Sequence, residues 1–88
     1  MIIASSVSEG GIAMYNKMYF QMYVIVLNDG TELEVAEDYD LPEEDSLFSV
    51  FEETKMNGTI TATNRMGETI CVPKKNIQYI RMTYVESV

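Results

Sequence analysis

The chain has 88 residues, of which 14 are acidic and 6 are basic, so its formal net charge is −8. This length supports one domain with a single core, and an apolar content of 47% is enough to build that core. The absence of histidine and the presence of one cysteine, Cys71, exclude Ser-His-Asp and Cys-His nucleophile systems, histidine-based zinc sites and internal disulfides. The acidic excess also disfavours direct binding of nucleic acid, because phosphate contacts require lysine and arginine.

The first residues are rich in Ser and Gly and precede the most apolar stretch of the chain. We expect residues 1–13 to form a flexible leader or a short docking strand, and residues 14–88 to form a single domain. The chain shows neither the basic start of a signal peptide nor the roughly 18 consecutive apolar residues of a membrane span. We therefore expect a cytoplasmic protein that does not interact with a membrane.

Residues 14–27 are dense in Met, Tyr, Phe, Val and Ile, which predicts the first strand. Neither of its faces is polar, so we expect a core on one face and a helix, a second sheet or another subunit on the other. Because Tyr and Met are enriched in interface cores, this strand is also a candidate surface for homodimer formation. The candidate self-association residues are Met18, Tyr19, Met22 and Tyr23.

The sequence Asn-Asp-Gly at residues 28–30 predicts a tight hairpin turn, because these residue types accept a positive φ angle. The return strand, residues 31–36, alternates between apolar and acidic side chains. Its period of two places Leu33 and Val35 towards the core and the intervening glutamates towards water.

Residues 40–43 predict the start of a helix, with Asp40 as the N-cap, Pro42 in the first turn and Glu43 completing a capping box. Asn-Gly at residues 57–58 predicts its end, because a residue there can adopt the left-handed conformation. Between these signals the larger side chains recur at helical spacing and can cover one face of the first strand. This stripe consists of Leu47, Phe48, Val50, Phe51 and Thr54.

The remainder of the chain predicts three strands. Residues 59–63 and 68–72 form a hairpin around a turn at 64–67, Pro73 marks its end, and residues 77–85 form the last strand. Regular alternation in the last strand places Ile80, Met82 and Tyr84 on one face and Ile77, Tyr79, Arg81 and Val85 on the other.

The predicted order is ββαβββ, and the short connections favour antiparallel neighbours. We therefore expect an α+β fold, with a curved five-stranded antiparallel sheet or a partly open small barrel and one helix packed on it.

The charges are unevenly distributed along the chain. Residues 28–54 contain eleven acids and no lysine or arginine, whereas residues 55–85 contain five bases and one acid. One interpretation is that the carboxylates only solubilise a strand and complement a helix dipole. The other is an acidic surface that steers the protein onto a basic partner, such as the phosphate-binding groove of a nucleic-acid enzyme. The candidate residues of this surface are Asp29, Glu32, Glu34, Glu37, Asp38, Asp40, Glu43, Glu44 and Asp45.

Other chemical sites are not indicated by the sequence. The acids of residues 38–45 lack the glycine and the alternating spacing of an EF-hand loop, and a chain of this size has little room for a catalytic cleft. Only Lys74 and Lys75 lie near Cys71 in the sequence, which favours a structural thiol over a reactive one. We expect no catalytic residue, no metal site and no cofactor.

Residues 24–31 resemble the strand, acidic-glycine turn and strand of the first motif of the Sm-like small barrels. Residues 73–80 resemble the turn and strand of their second motif, although a lysine stands where that motif has glycine. This resemblance implies an RNA-binding barrel in which Lys74, Lys75 and Arg81 contact the RNA.

In size, charge and ββαβββ layout the chain is also similar to small acidic accessory proteins of bacteriophages and mobile elements of Gram-positive bacteria, the group that includes anti-CRISPR proteins. This resemblance implies a nucleic-acid mimic that inhibits a host protein. The function that we expect is therefore a non-enzymatic protein-binding module that places an acidic surface on a basic, nucleic-acid-binding host protein. The alternatives are a self-associating structural or assembly subunit and an Sm-like RNA-binding protein.

Overall fold

A computed structural model of the chain describes residues 18–87. These residues form an α+β domain with the predicted ββαβββ order. The strands are β1 (Tyr19–Leu27), β2 (Glu32–Asp38), β3 (Thr59–Thr63), β4 (Thr69–Pro73) and β5 (Ile77–Ser87), and the helix is α1 (Leu47–Glu53). The predicted leader, residues 1–13, and the first four residues of the predicted first strand lie outside the described residues.

The five strands form one antiparallel sheet in the order β4-β3-β2-β1-β5, which does not close within residues 18–87. The predicted fold class is therefore confirmed. The core lies on the face of the sheet that α1 covers, and the inward alternation predicted for the second and fourth strands is also confirmed. Its buried members are Tyr23, Ile25, Val35, Leu47, Ile60, Val72 and Ile77.

The central strand β1 buries side chains on both of its faces. Tyr23 and Ile25 belong to the core, whereas Met22 and Val26 lie on the opposite face and are only 1% and 5% exposed. On that face the neighbours of Val24 are Glu34 from β2 and Arg81 from β5. The second face is thus flanked by long side chains of the adjacent strands, while the helix lies on the core face.

The turn between β1 and β2 is the tight hairpin that the sequence predicts. The Leu27 N–H donates to the Thr31 carbonyl at 2.8 Å, and Gly30 has a φ angle of 91°. The Thr31 N–H also donates to Asp29 Oδ1 at 2.9 Å, and this hydrogen bond lowers the pKa of the Asp29 carboxyl. Asp29 therefore has a local structural role in the turn.

Replacing Gly30 by alanine should lower the free energy of unfolding by about 1–2 kcal/mol. A Cβ atom at this position would meet no heavy atom within 4 Å, so the cost comes only from the positive φ angle. Urea unfolding measures this change. The matched control is Gly30→Asn, which we expect to lose less because asparagine tolerates this conformation better. Equal stability of Gly30→Ala and the wild type would contradict the prediction.

The helix begins later than the sequence predicts. Asp40 and Glu43 do not form its cap, because residues Glu43–Asp45 form a separate 3₁₀ turn. Ser46 is extended and is the N-cap of α1, since its hydroxyl accepts a hydrogen bond from the Ser49 N–H at 3.3 Å. The helix also ends earlier than predicted. Its last residue is Glu53, and the backbone of the next residue, Thr54, is extended.

The last strand contains two register shifts against β1, so its predicted faces are wrong. Regular alternation predicts Ile77 and Ile80 on opposite faces, but both pack in the core. One shift lies between Val26 and Leu27, and the other lies between Gln21 and Tyr23. Each inserted residue moves the following side chains to the other face, which regular alternation cannot represent.

Candidate partner-binding site

An acidic loop connects β2 to α1, and this name refers here to residues 38–45. The loop carries five exposed carboxylates, those of Asp38, Asp40, Glu43, Glu44 and Asp45. Among residues 18–87, none of the five forms an ion pair with a lysine or arginine. The loop therefore concentrates negative charge that the rest of the described chain does not neutralise.

Hydrogen bonds between backbone groups fix the course of the acidic loop. The Tyr39 N–H donates to the Tyr19 carbonyl at 3.0 Å, and the Asp45 N–H donates to the Pro42 carbonyl at 2.9 Å. The Ser49 hydroxyl donates to the Glu43 carbonyl at 2.7 Å, which ties the 3₁₀ turn to the helix. These hydrogen bonds give the loop that carries the carboxylates a defined backbone course.

The acids of β2 that face away from the core are partly neutralised. Glu32 lies 3.7 Å from the guanidinium of Arg81, and Glu34 lies 3.9 Å from that of Arg65. The Tyr84 hydroxyl also donates to Glu34 at 3.3 Å. These two glutamates are exposed as predicted, but their charge is shared with basic neighbours on the same face.

Glu37 is directed into the domain and has a structural role. Its Oε2 atom accepts a hydrogen bond of 2.6 Å from the Tyr23 hydroxyl, and its Oε1 atom accepts one of 2.9 Å from the Leu47 N–H. Burial, followed by this contact with Glu37, raises the pKa of Tyr23. Glu37 therefore joins β1, β2 and α1 and has both carboxylate oxygens engaged.

A cleft lies beside the acidic loop, where β2 and β3 diverge. Among the described residues these two strands pair at one position, Ala36 opposite Thr63. The cleft has a volume of about 730 Å³, and two carboxylates of the acidic loop, Asp38 and Asp45, border it. Apolar side chains of the loop, the helix and β3 also line it, namely Leu41, Leu47, Val50 and Ala62.

Three large apolar side chains stand exposed around the same loop. Tyr39, Leu41 and Phe48 are 55%, 37% and 38% exposed, respectively. The ring of Phe48 packs edge-on against Tyr23, with 5.2 Å between the ring centroids. Exposed aromatic and aliphatic side chains with polar and charged groups around them are typical of protein-binding surfaces.

The predicted self-association residues do not form one exposed surface. Met22 and Tyr23 are 1% and 2% exposed, so both are buried inside the domain, whereas Met18 and Tyr19 are 39% and 48% exposed. The strand is also flanked on both sides, by β2 and by β5. Neither edge of β1 is therefore available for pairing with a second copy.

Two of the three bases proposed as RNA contacts have partners within the domain. The Lys74 ammonium donates to the Thr54 carbonyl at 2.7 Å and lies 4.6 Å from the centroid of the Phe51 ring. Arg81 faces Glu32, as described above, and Lys75 is exposed. The three side chains do not present one free basic surface.

Cys71 is exposed on β4, and its Sγ atom lies 3.7 Å from the Thr61 hydroxyl. Within residues 18–87, no three His, Cys, Asp or Glu side chains are grouped so that they could hold a metal ion. The same residues include no helix with the length and apolar character needed to cross a membrane.

Sequence reasoning missed the cleft and the inward position of Glu37. The cleft exists because β2 and β3 pair over only a short length. Sequence patterns do not predict where two paired strands separate. A signal for Glu37 was present, because it occupies a core-facing position in the alternation of β2 after Leu33 and Val35.

We compared the chain with protein-family models, curated proteins and solved structures, and none of them matches it. The assignment of a function therefore depends on the geometry and charge of the site.

Proposed function

We propose that this protein is a non-enzymatic protein-binding module whose acidic loop binds a basic surface of another protein. The observation that carries the proposal is the set of five exposed loop carboxylates, which have no ion pair within residues 18–87 and lie beside a partly apolar cleft. Such an arrangement combines long-range attraction with a place for an apolar anchor.

The chemistry of the loop defines the partner that it fits. A complementary surface presents lysine and arginine side chains around an apolar residue that enters the cleft beside Leu41. Surfaces that bind nucleic acid carry such basic groups, because each phosphate contact requires a positive charge. We therefore propose a nucleic-acid-binding protein as the partner, with the carboxylates replacing phosphates.

Inhibition by this mechanism is stoichiometric, because the module occupies the site of the partner and transforms no substrate. An inhibitor encoded by a phage or a mobile element, as the resemblance to anti-CRISPR proteins implies, fits this proposal. The preformed loop supports it further, since a rigid acidic surface competes with nucleic acid at a lower entropic cost than a flexible one.

Charge reversal in the acidic loop tests the proposal. The double variant Asp40→Lys, Glu44→Lys should lose about tenfold or more in affinity for the partner, because two attractive contacts become repulsive. The matched control is Glu52→Lys, Glu53→Lys, which makes the same change in net charge at the exposed end of α1.

The partner is first isolated by affinity capture from a bacterial lysate with elution by salt, and its affinity is then measured by calorimetry. We expect the control variant to retain nearly full affinity and the wild-type affinity to fall as the ionic strength rises. Equal losses in the two variants, or an affinity that does not respond to salt, would contradict the proposal.

Competition with nucleic acid tests the nature of the partner surface. If the loop occupies a nucleic-acid site, an oligonucleotide that binds the partner should displace the module in proportion to its own affinity. A ternary complex of the partner, the oligonucleotide and the module would show that the acidic loop binds elsewhere.

A further inference from the structure

The last strand of the sheet, β5, has one edge without a neighbour among the described residues. The sheet order places it at the side of β1, and β4 forms the other edge. β5 comprises 11 residues, whereas β4 comprises 5 and ends at Pro73. A long edge strand offers a row of unpaired backbone groups to another strand.

Two common protections of an edge strand are absent from β5. The segment Ile77–Ser87 contains neither lysine nor proline, and several of its large side chains are about half exposed. These are Tyr79, Met82, Tyr84 and Val85, which are 45%, 52%, 46% and 45% exposed.

The register against β1 shows which side chains of β5 share a face. Met82 lies opposite Tyr23 and Val85 lies opposite Gln21, so both point towards the core side of the sheet. Arg81 lies opposite Val24 and Glu86 lies opposite Phe20, so both point to the other side. Residues five positions apart face opposite ways in a regular strand.

One of the two register shifts is a β-bulge in the middle of β5. It explains why Met82 and Val85 share one face and Arg81 and Glu86 share the other. Thr83 and Tyr84 together lie opposite Met22, because the register shifts between Gln21 and Tyr23. One extra residue reverses the alternation of side-chain faces beyond it. Residues at equal distances before and after the bulge therefore point to the same face of the sheet. Such a strand is self-complementary about a two-fold axis through the bulge.

We propose that β5 pairs with β5 of a second copy of this chain, antiparallel and about an axis between Thr83 and Tyr84. Met82 then lies opposite Val85 of the partner subunit on one face of the joined sheets. Arg81 lies opposite Glu86 of the partner subunit on the other face. The axis repeats both contacts, so two apolar pairs and two ion pairs accompany the backbone hydrogen bonds.

Charge complementarity identifies the second copy as the occupant of this edge. The only charged side chains in β5 are Arg81 and Glu86, of opposite sign. Within one chain Arg81 already lies 3.7 Å from Glu32, and Glu86 lies 2.7 Å from Arg65. This register places the Glu32–Arg81 pair of one copy beside the Glu86–Arg65 pair of the other, so that the charges alternate in sign. This proposal does not rest on the acidic loop, although Glu86 also lines the cleft beside that loop.

Sedimentation velocity on the full chain at about 10 to 500 µM tests the proposal, because dimer formation follows mass action. We expect the wild type to shift from monomer to dimer over this range. Arg81→Glu and Glu86→Arg should each raise the dissociation constant about tenfold or more, because each creates two like-charge contacts across the axis. The double variant Arg81→Glu, Glu86→Arg should dimerise at least about threefold more tightly than either single variant, since it re-forms both contacts across the axis in the opposite sense. It should not reach the wild-type constant, because it places like charges beside Glu32 and Arg65 within each chain.

A second variant, Met82→Lys with Val85→Lys, places like charges opposite each other and should be monomeric. Circular dichroism confirms that each variant is folded, and the charge-swap series still decides the matter if the lysine variant does not fold. A wild type that stays monomeric throughout the range would overturn the proposal. A dimer that persists in the lysine variant would also overturn it, as would a double charge swap that dimerises no better than the two single variants.

Discussion

Replacing Glu37 by alanine is expected to lower the free energy of unfolding by about 2–4 kcal/mol. The substitution removes the two carboxylate oxygens through which Glu37, in β2, accepts hydrogen bonds from β1 and α1. It leaves the Tyr23 hydroxyl, on a side chain that is only 2% exposed, and the Leu47 N–H at the start of the helix without their partners. Both donors are part-buried at the wall of the cleft, so water replaces the lost hydrogen bonds only in part and the substitution is costly.

Urea unfolding at neutral pH measures this effect, and Glu44→Ala is the matched control in the exposed acidic loop. Both variants remove one negative charge from a chain with a net charge of −8. If Glu37 acted only as part of a repulsive acidic surface, the two substitutions would have the same small effect. A change of less than about 1 kcal/mol for Glu37→Ala would contradict the structural role described for it.

The second large effect concerns alkaline pH and involves Tyr23. Burial and the contact with Glu37 raise the pKa of the Tyr23 hydroxyl above its ordinary value of 10.0. Above that pH the unfolded chain loses this proton while the folded chain retains it, so stability falls as the pH rises. The loss amounts to about 2 kcal/mol at about pH 11.5, since each pH unit contributes about 1.4 kcal/mol once the unfolded form is ionised.

The variant Tyr23→Phe isolates this contribution in urea unfolding curves recorded from pH 7 to pH 11.5. At neutral pH the wild type should be more stable than the variant, because the variant lacks the hydrogen bond to Glu37. Above pH 10 this advantage should shrink and then reverse. The same substitution at the exposed Tyr39 is the control, for which we expect no reversal. A constant difference between the wild type and Tyr23→Phe across the range would refute the prediction.

Local signals predicted most of the elements of this fold. The Asn-Asp-Gly turn, the alternation around Val35 and the turn that includes Gly67 each fix a strand end or a strand face within a few residues. Such signals depend on the φ angles that a turn requires and on the period of a strand. They therefore hold where the pairing of the strands is regular, as it is between β1 and β2.

The start of the helix could not be chosen from the sequence alone. Asp40 and Ser46 are both suitable N-cap residues, and Asp40 has the stronger capping-box pattern. In the structure the helix begins after Ser46, and Glu37 of β2 accepts a hydrogen bond from the Leu47 N–H. A contact with another element thus satisfies a helix N–H that the local pattern assigns to the chain itself.

Contacts between elements also determine the faces of β5 and the shape of the candidate site, so local sequence patterns could not predict them. The segment from Ile77 to Val85 has the alternation of a regular strand, yet two register shifts move its side chains between faces. The divergence of β2 from β3, which opens the cleft, likewise follows from strand pairing. Sequence reasoning identified the exposed acids of the loop but could not separate them from Glu37, whose role depends on Tyr23.

The position of β1 between β2 and β5 determines how this domain can fold. The hairpin with β2 closes a short loop, whereas the contact between Ile25 and Ile80 closes a loop that includes most of the described chain. Loop-closure entropy makes the second pairing slow, and β1 presents an unpaired edge until it forms. The apolar central strand stays exposed at this edge until β5 docks, so aggregation during refolding should depend on how rapidly the C-terminal strand docks.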